Sequence, residues 1–157
     1  MAAALVTAIV LSIGGLGVSG AFGLTAASQP EMFRHISLAI FATLVNLLSH
    51  SMMMFYLIGK GRAVRDAMTE GGLSGDHYRR IARVRVPVFS WGTYAMAATI
   101  LTALLGASAD THVIPAWVHA SSGVGAVAIN LVALKREVDA VTTSARVVDE
   151  VNRLLGF

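Results

Sequence analysis

The chain has little charge and no cysteine. Of its 157 residues 55% are hydrophobic and only 13% are charged, whereas soluble domains usually carry about 25% charged residues. This composition excludes an ordinary soluble domain and indicates a single integral membrane domain. The absence of cysteine excludes disulfides, zinc ribbons, iron–sulfur clusters and thiol catalysis. Any metal would therefore be held by histidine, methionine, carboxylates or a porphyrin.

Acidic side chains are missing from the long apolar runs. Glu31, Asp110 and the other carboxylates fall in predicted loops or in the C-terminal segment. This distribution excludes the paired carboxylates of glycoside hydrolysis and the acidic relays of many proton-coupled transporters. The sequence also contains no nucleophile elbow, HExxH motif or phosphate loop. Enzymatic activity stays open, but a non-catalytic or electron-transfer subunit is favoured over a stand-alone enzyme.

The apolar runs predict four membrane spans, at about 2–27, 36–59, 86–107 and 114–134. A helix needs about 20 apolar residues to cross roughly 30 Å of hydrocarbon. We therefore predict an all-α, integral membrane, four-helix up-and-down bundle that occupies residues 1–134. A basic loop at 60–85 separates the second span from the third.

The C-terminal segment, 135–157, has a different pattern. Apolar residues recur at helical spacing between charged ones, at Val138, Val141, Ala145, Val148, Asn152 and Leu155. That spacing predicts a separate amphipathic helix on the cytoplasmic membrane surface or against a partner.

Basic residues concentrate in the 60–85 loop and from Lys135 onward, and the net charge is +3. Under the positive-inside rule, both regions and both termini are predicted to be cytoplasmic, in a bacterial-type inner membrane. No basic–aromatic platform accompanies these charges, so nucleic-acid binding is not expected.

Polar residues interrupt the second span on one face. Thr43, Asn46 and His50 are spaced so that all three point the same way from a helix. Polar groups in hydrocarbon turn toward other helices or a bound group, so we expect these three to be buried. By helical rise His50 lies about 13 Å from the cytoplasmic end. Tyr94 of the third span is predicted at a similar depth, as a buried polar partner.

The remaining span-end histidines are predicted to cluster at the opposite membrane face. His35 begins the second span, and His112 and His119 share one face at the start of the fourth. Histidines on different membrane helices commonly hold b-type haem, so His35 with His119 is the predicted ligand pair and His112 the substitute. His50 is either an alternative haem ligand or a structural residue. In architecture alone, such a bundle resembles the haem-carrying anchor subunits of respiratory complexes.

The sequence supports three functions in a fixed order. The first is a small membrane subunit of a larger complex, with haem b at the histidine cluster for electron transfer. The second is a cofactor-free structural or assembly subunit, and the third is a small transporter or channel component. The predicted partners are the lipid bilayer and other membrane subunits.

Overall fold

The computed structural model describes residues 1–157 as four consecutive helices. They are α1 (Ala2–Thr25), α2 (Gln29–Glu70), α3 (His77–Asp110) and α4 (Ala116–Leu154). All four are long and apolar enough to cross a membrane. Large apolar side chains, among them Phe41, Leu44 and Phe55, are exposed on the outer faces of the helices. The predicted all-helical membrane bundle is confirmed, and its outer surface suits contact with lipid.

Short local signals start α2 and separate it from α3. The Glu31 carboxylate accepts hydrogen bonds from the backbone N–H groups of Ala27 (2.8 Å) and Ser28 (3.0 Å), as in a capping box. Between α2 and α3 the chain reverses at Gly72 and Gly75, whose φ angles are 60° and 144°. Glycine adopts such angles without the steric penalty of a Cβ atom.

Helices α2, α3 and α4 continue well beyond the N-terminus of α1. The predicted 60–85 loop is therefore helical except for the turn at 71–76. We call this part the extension; it comprises 60–70, 77–85 and 141–154. Its core is a separate apolar cluster of five buried residues: Val64, Met68, Ile81, Val147 and Val151.

The separate amphipathic C-terminal helix was a wrong prediction. Helix α4 runs without interruption from Ala116 to Leu154 and is itself a candidate span. Its buried face continues at alternating spacings of three and four residues through Ala126, Asn130, Ala133, Glu137, Ala140, Ser144, Val147 and Val151. This face differs from the predicted stripe, since Val138 is 40% exposed and Val147 is fully buried. One seam, including the acidic Glu137, therefore packs against the bundle along the whole helix.

Packing in the bundle brings α2 and α4 together across its centre. Helix α1 packs on α2, and α3 packs on α4, while α2 also contacts α4 and α1 does not contact α3. In cross-section α2 and α4 thus occupy the short diagonal. Side chains on their inner faces meet near the bundle axis.

Candidate functional site: a histidine pair and a buried polar network

Polar side chains on the α2–α4 diagonal form two groups at different depths. One is the histidine pair, His35 and His119, whose ring centroids are 6.1 Å apart. The other is the central polar network, which consists of Ser12, Asn46, His50, Thr99, Asn130 and Glu137, all fully or almost fully buried.

Each imidazole of the histidine pair is anchored through Nδ1. His35 Nδ1 lies 2.7 Å from the Ser19 carbonyl oxygen, and His119 Nδ1 lies 3.1 Å from the Thr102 carbonyl oxygen. A carbonyl oxygen only accepts hydrogen bonds, so each Nδ1 carries the proton and donates. In the neutral ring Nε2 then holds a free lone pair, and neither Nε2 has a hydrogen-bond partner in the chain. Donation from the second ring nitrogen to a carbonyl is the usual way of orienting a metal-binding histidine.

Two glycines support the rings. A Cβ atom added at Gly23 would lie 2.8 Å from His35 Cε1, and one added at Gly106 would lie 3.0 Å from His119 Cε1. Both positions therefore accommodate the ring only because they lack a side chain. The two imidazoles rest directly on the backbones of α1 and α3.

The two helical hairpins build this arrangement in the same way. In each hairpin a hydroxyl residue supplies the carbonyl, 16 residues before the histidine in Ser19–His35 and 17 before it in Thr102–His119. The supporting glycine follows the hydroxyl residue by one helical turn, and an asparagine follows each histidine by about three turns. Those asparagines, Asn46 and Asn130, are 84 residues apart and bonded to one another. The bundle thus contains a repeated polar pattern on its two halves.

The donor set of the histidine pair fits haem iron better than a bare metal ion. A metal–imidazole bond is about 2 Å long, so two imidazoles on opposite sides of one metal place their ring centres roughly 6 Å apart. The chain contains no group of three or more His, Cys, Asp or Glu side chains that could hold a metal ion. A porphyrin brings its own nitrogen ligands and requires only axial ligands from the protein.

The other predicted site residues occupy different environments. His112 is exposed in the turn after α3, with a φ angle of 58°, and does not join the histidine pair. Tyr94 is 57% exposed and packs its ring edge-on against Trp91, so it is not the buried partner of His50. Asn46 is fully buried, whereas Thr43 is only half-buried.

Asn130 organises the central polar network. Its Nδ2 lies 2.8 Å from the Ala126 carbonyl oxygen, which only accepts, so this atom must be the amide nitrogen. Its Oδ1 therefore accepts hydrogen bonds, from Asn46 Nδ2 at 2.7 Å and from His50 Nε2 at 3.0 Å. Consequently His50 carries a proton on Nε2.

Glu137 is the functional candidate that sequence reasoning missed. Its Oε1 lies 2.7 Å from His50 Nδ1, and both side chains are completely buried. Because His50 Nε2 is already protonated, this contact holds one proton, either on Nδ1 or on Oε1. Both nitrogens of His50 are thus occupied within the chain, which removes it as an axial ligand in this arrangement. Glu137 was assigned to the solvated tail because charged residues are rarely buried unless they are paired.

Comparison with known proteins gives no family for this chain. No protein-family model, no curated protein and no solved structure matches it. Its function has to be inferred from the chemistry of these two buried groups.

Proposed function

We propose that this chain is a small membrane subunit that holds b-type haem between His35 and His119 and serves electron transfer. The observation that carries the proposal is the histidine pair itself. Its two imidazoles have the spacing required for axial ligands, Nδ1 protons held by backbone carbonyls, and Nε2 atoms without partners. Haem bound there would supply reversible one-electron exchange.

The residues of the chain would position and protect that group. The Ser19 and Thr102 carbonyls hold the tautomer that leaves Nε2 as the ligand atom. Gly23 and Gly106 allow the rings to lie against α1 and α3. The apolar faces of the surrounding helices keep water away, which favours electron exchange over reaction with solvent.

Charge at the two ends of the bundle supports a single orientation. The extension carries most of the basic residues, and Met1 lines the same groove as Lys60 at that end. The α3–α4 turn carries no lysine or arginine. The positive-inside rule then puts the extension and both termini in the cytoplasm of a bacterial-type cell, and the histidine pair near the opposite face.

Absorption spectroscopy tests the haem proposal directly. Protein purified gently from its native membrane should give a Soret band, a reduced α-band of b type after dithionite, and a pyridine haemochrome. His35→Ala and His119→Ala should each abolish or strongly reduce the bound haem. His112→Ala is the matched control, because His112 is exposed in the turn, and it should bind haem normally. A wild-type spectrum without these bands would exclude the proposal.

Outward-facing glycines favour a second role, as an assembly subunit with or without haem. Gly14, Gly17 and Gly20 follow one face of α1, and a Cβ atom added at any of them would meet nothing within 4 Å. Small residues on an outer membrane-helix face let a partner helix approach closely. Gly17→Leu should therefore release the chain from its native complex on non-denaturing gels. Gly125→Leu, at an equally open position of α4, should leave the complex intact, and identical migration of both variants would contradict this role.

A further inference from the structure

His50 and Glu137 are the two ionisable side chains that are completely buried in this protein. The helices around them contribute no other titratable group, since the buried residues of α1 are Ile9, Ser12, Ile13 and Ser19, and those of α3 are Ile81, Val88, Gly92, Ala95 and Thr99. The basic side chains Lys135 and Arg136 on α4 are exposed. Any change of charge in the centre of the bundle must therefore occur on this pair.

One oxygen of the pair has nothing to bond. Glu137 Oε1 contacts His50 Nδ1, but Glu137 Oε2 is buried and has no hydrogen-bond partner. A buried polar atom without a partner is costly, and in native proteins ordered water usually satisfies it. Oε2 is thus the atom of the network at which a further proton can be accepted.

A second unpartnered atom lies in the direction of the extension. Ser144 Oγ is also buried without a hydrogen-bond partner. Seven residues separate Glu137 from Ser144, so the two share one face of α4 and lie about 10 Å apart along it. Waters between Oε2 and Oγ would satisfy both atoms and link the pair to the polar end of the bundle.

The opposite direction is closed by amides. His50 Nε2 donates to Asn130 Oδ1, and Asn46 Nδ2 donates to the same oxygen. Asparagine amides neither gain nor lose protons near neutral pH. A proton that reaches His50 therefore cannot pass onward through Asn130 and Asn46.

We infer that His50 and Glu137 form a proton-binding site that is reached from the extension past Ser144 and is closed toward the histidine pair. The ligand is a proton delivered by water: an O–H bond forms at Glu137 Oε2, the donor hydronium is left as water, and no electron moves. The first proton stays between Nδ1 and Oε1, so the pair changes from neutral to singly positive. This inference does not depend on haem at the histidine pair.

Infrared difference spectroscopy on protein in liposomes, between mildly alkaline and mildly acidic buffer, tests the site. Acidification should produce a carboxylic-acid C=O band that shifts in D₂O. Glu137→Gln should lose this band, because Gln cannot ionise but can still contact His50. Glu150→Gln, which removes a carboxylate from the extension, is the matched control and should keep it. A wild-type spectrum without a pH-dependent band, or the same band in Glu137→Gln, would overturn the inference.

Ser144→Ala tests the route while leaving the ionisable pair intact. The band should persist, but its hydrogen–deuterium exchange should be slower than in the wild type. Unchanged exchange would overturn access from the extension. If Glu137→Gln does not fold, isotopic labelling of glutamate carboxyls in the wild-type and Glu150→Gln proteins assigns the band. A band that does not shift on labelling would refute the site.

Discussion

Glu137 Oε1 lies 2.7 Å from His50 Nδ1, although 87 residues separate them in the chain. Two ionisable groups removed from water are tolerated because each satisfies the other and Asn130 satisfies the second nitrogen of His50. Removing one partner of such a pair leaves an uncompensated buried charge or polar group.

We therefore expect His50→Leu alone to destabilise the protein by about 3 kcal/mol. The double variant His50→Leu/Glu137→Leu should recover most of that loss, because apolar side chains of similar volume replace both groups. Unfolding in mixed detergent, followed by circular dichroism, measures the difference. A double variant as unstable as the sum of the single variants would show that the two side chains are not energetically coupled.

Gly23→Ala should disturb haem binding at the histidine pair. The added Cβ would lie within 2.8 Å of His35 Cε1 and would force the ring to move. Haem content, or the shape of the reduced spectrum, should change relative to the wild type. Gly20→Ala on the same helix is the control, since its Cβ meets nothing within 4 Å. Equal haem content and spectra in both variants would mean that Gly23 does not position the ligand.

The seam of α4 predicts a contrast between two valines in its C-terminal half. Val147 is fully buried in the extension, whereas Val138 is 40% exposed. Val147→Ala should cost about 1.5–3 kcal/mol through lost burial, while Val138→Ala should change stability by less than about 0.5 kcal/mol. Chemical denaturation in detergent distinguishes them. The reverse order would restore the amphipathic stripe expected from the sequence.

The ion pair of the extension predicts a pH dependence. The Arg80 guanidinium donates hydrogen bonds to the Glu150 carboxylate and lowers the pKa of Glu150 from its ordinary value of 4.5. A lowered folded-state pKa adds stability above pH 4.5, and this contribution is lost as the pH falls through the lowered value. The thermal midpoint of Glu150→Gln should therefore lie below that of the wild type at neutral pH, and the gap should close in acid.

Asp149→Asn is the control for this measurement. Asp149 is exposed on the same turn of α4, and its carboxylate has no partner in the chain. Its midpoint should follow that of the wild type at every pH. A gap between Glu150→Gln and the wild type that persists in acid would assign the effect to packing instead of charge.

The sequence could have revealed more of the histidine pair than composition and periodicity did. Asn46 follows His35 by the same number of positions as Asn130 follows His119. This repeated spacing marks corresponding depths in the two hairpins, and an internal comparison of the halves would have found it. The spacing alone does not say which helices face each other across the bundle.

What the sequence alone determined is the all-helical membrane architecture, because long apolar runs must satisfy their backbone hydrogen bonds within helices. The turn at Gly72 and Gly75 and the start of α2 at Ser28 likewise follow from local chemistry. Only the tertiary structure decided the position of Glu137. A carboxylate near a basic segment is expected in solvent, and its burial becomes favourable only when His50 of another helix lies within hydrogen-bonding distance. The same holds for α4 as a whole, since its continuous buried seam is defined by the helices that pack on it and not by its own pattern of apolar residues.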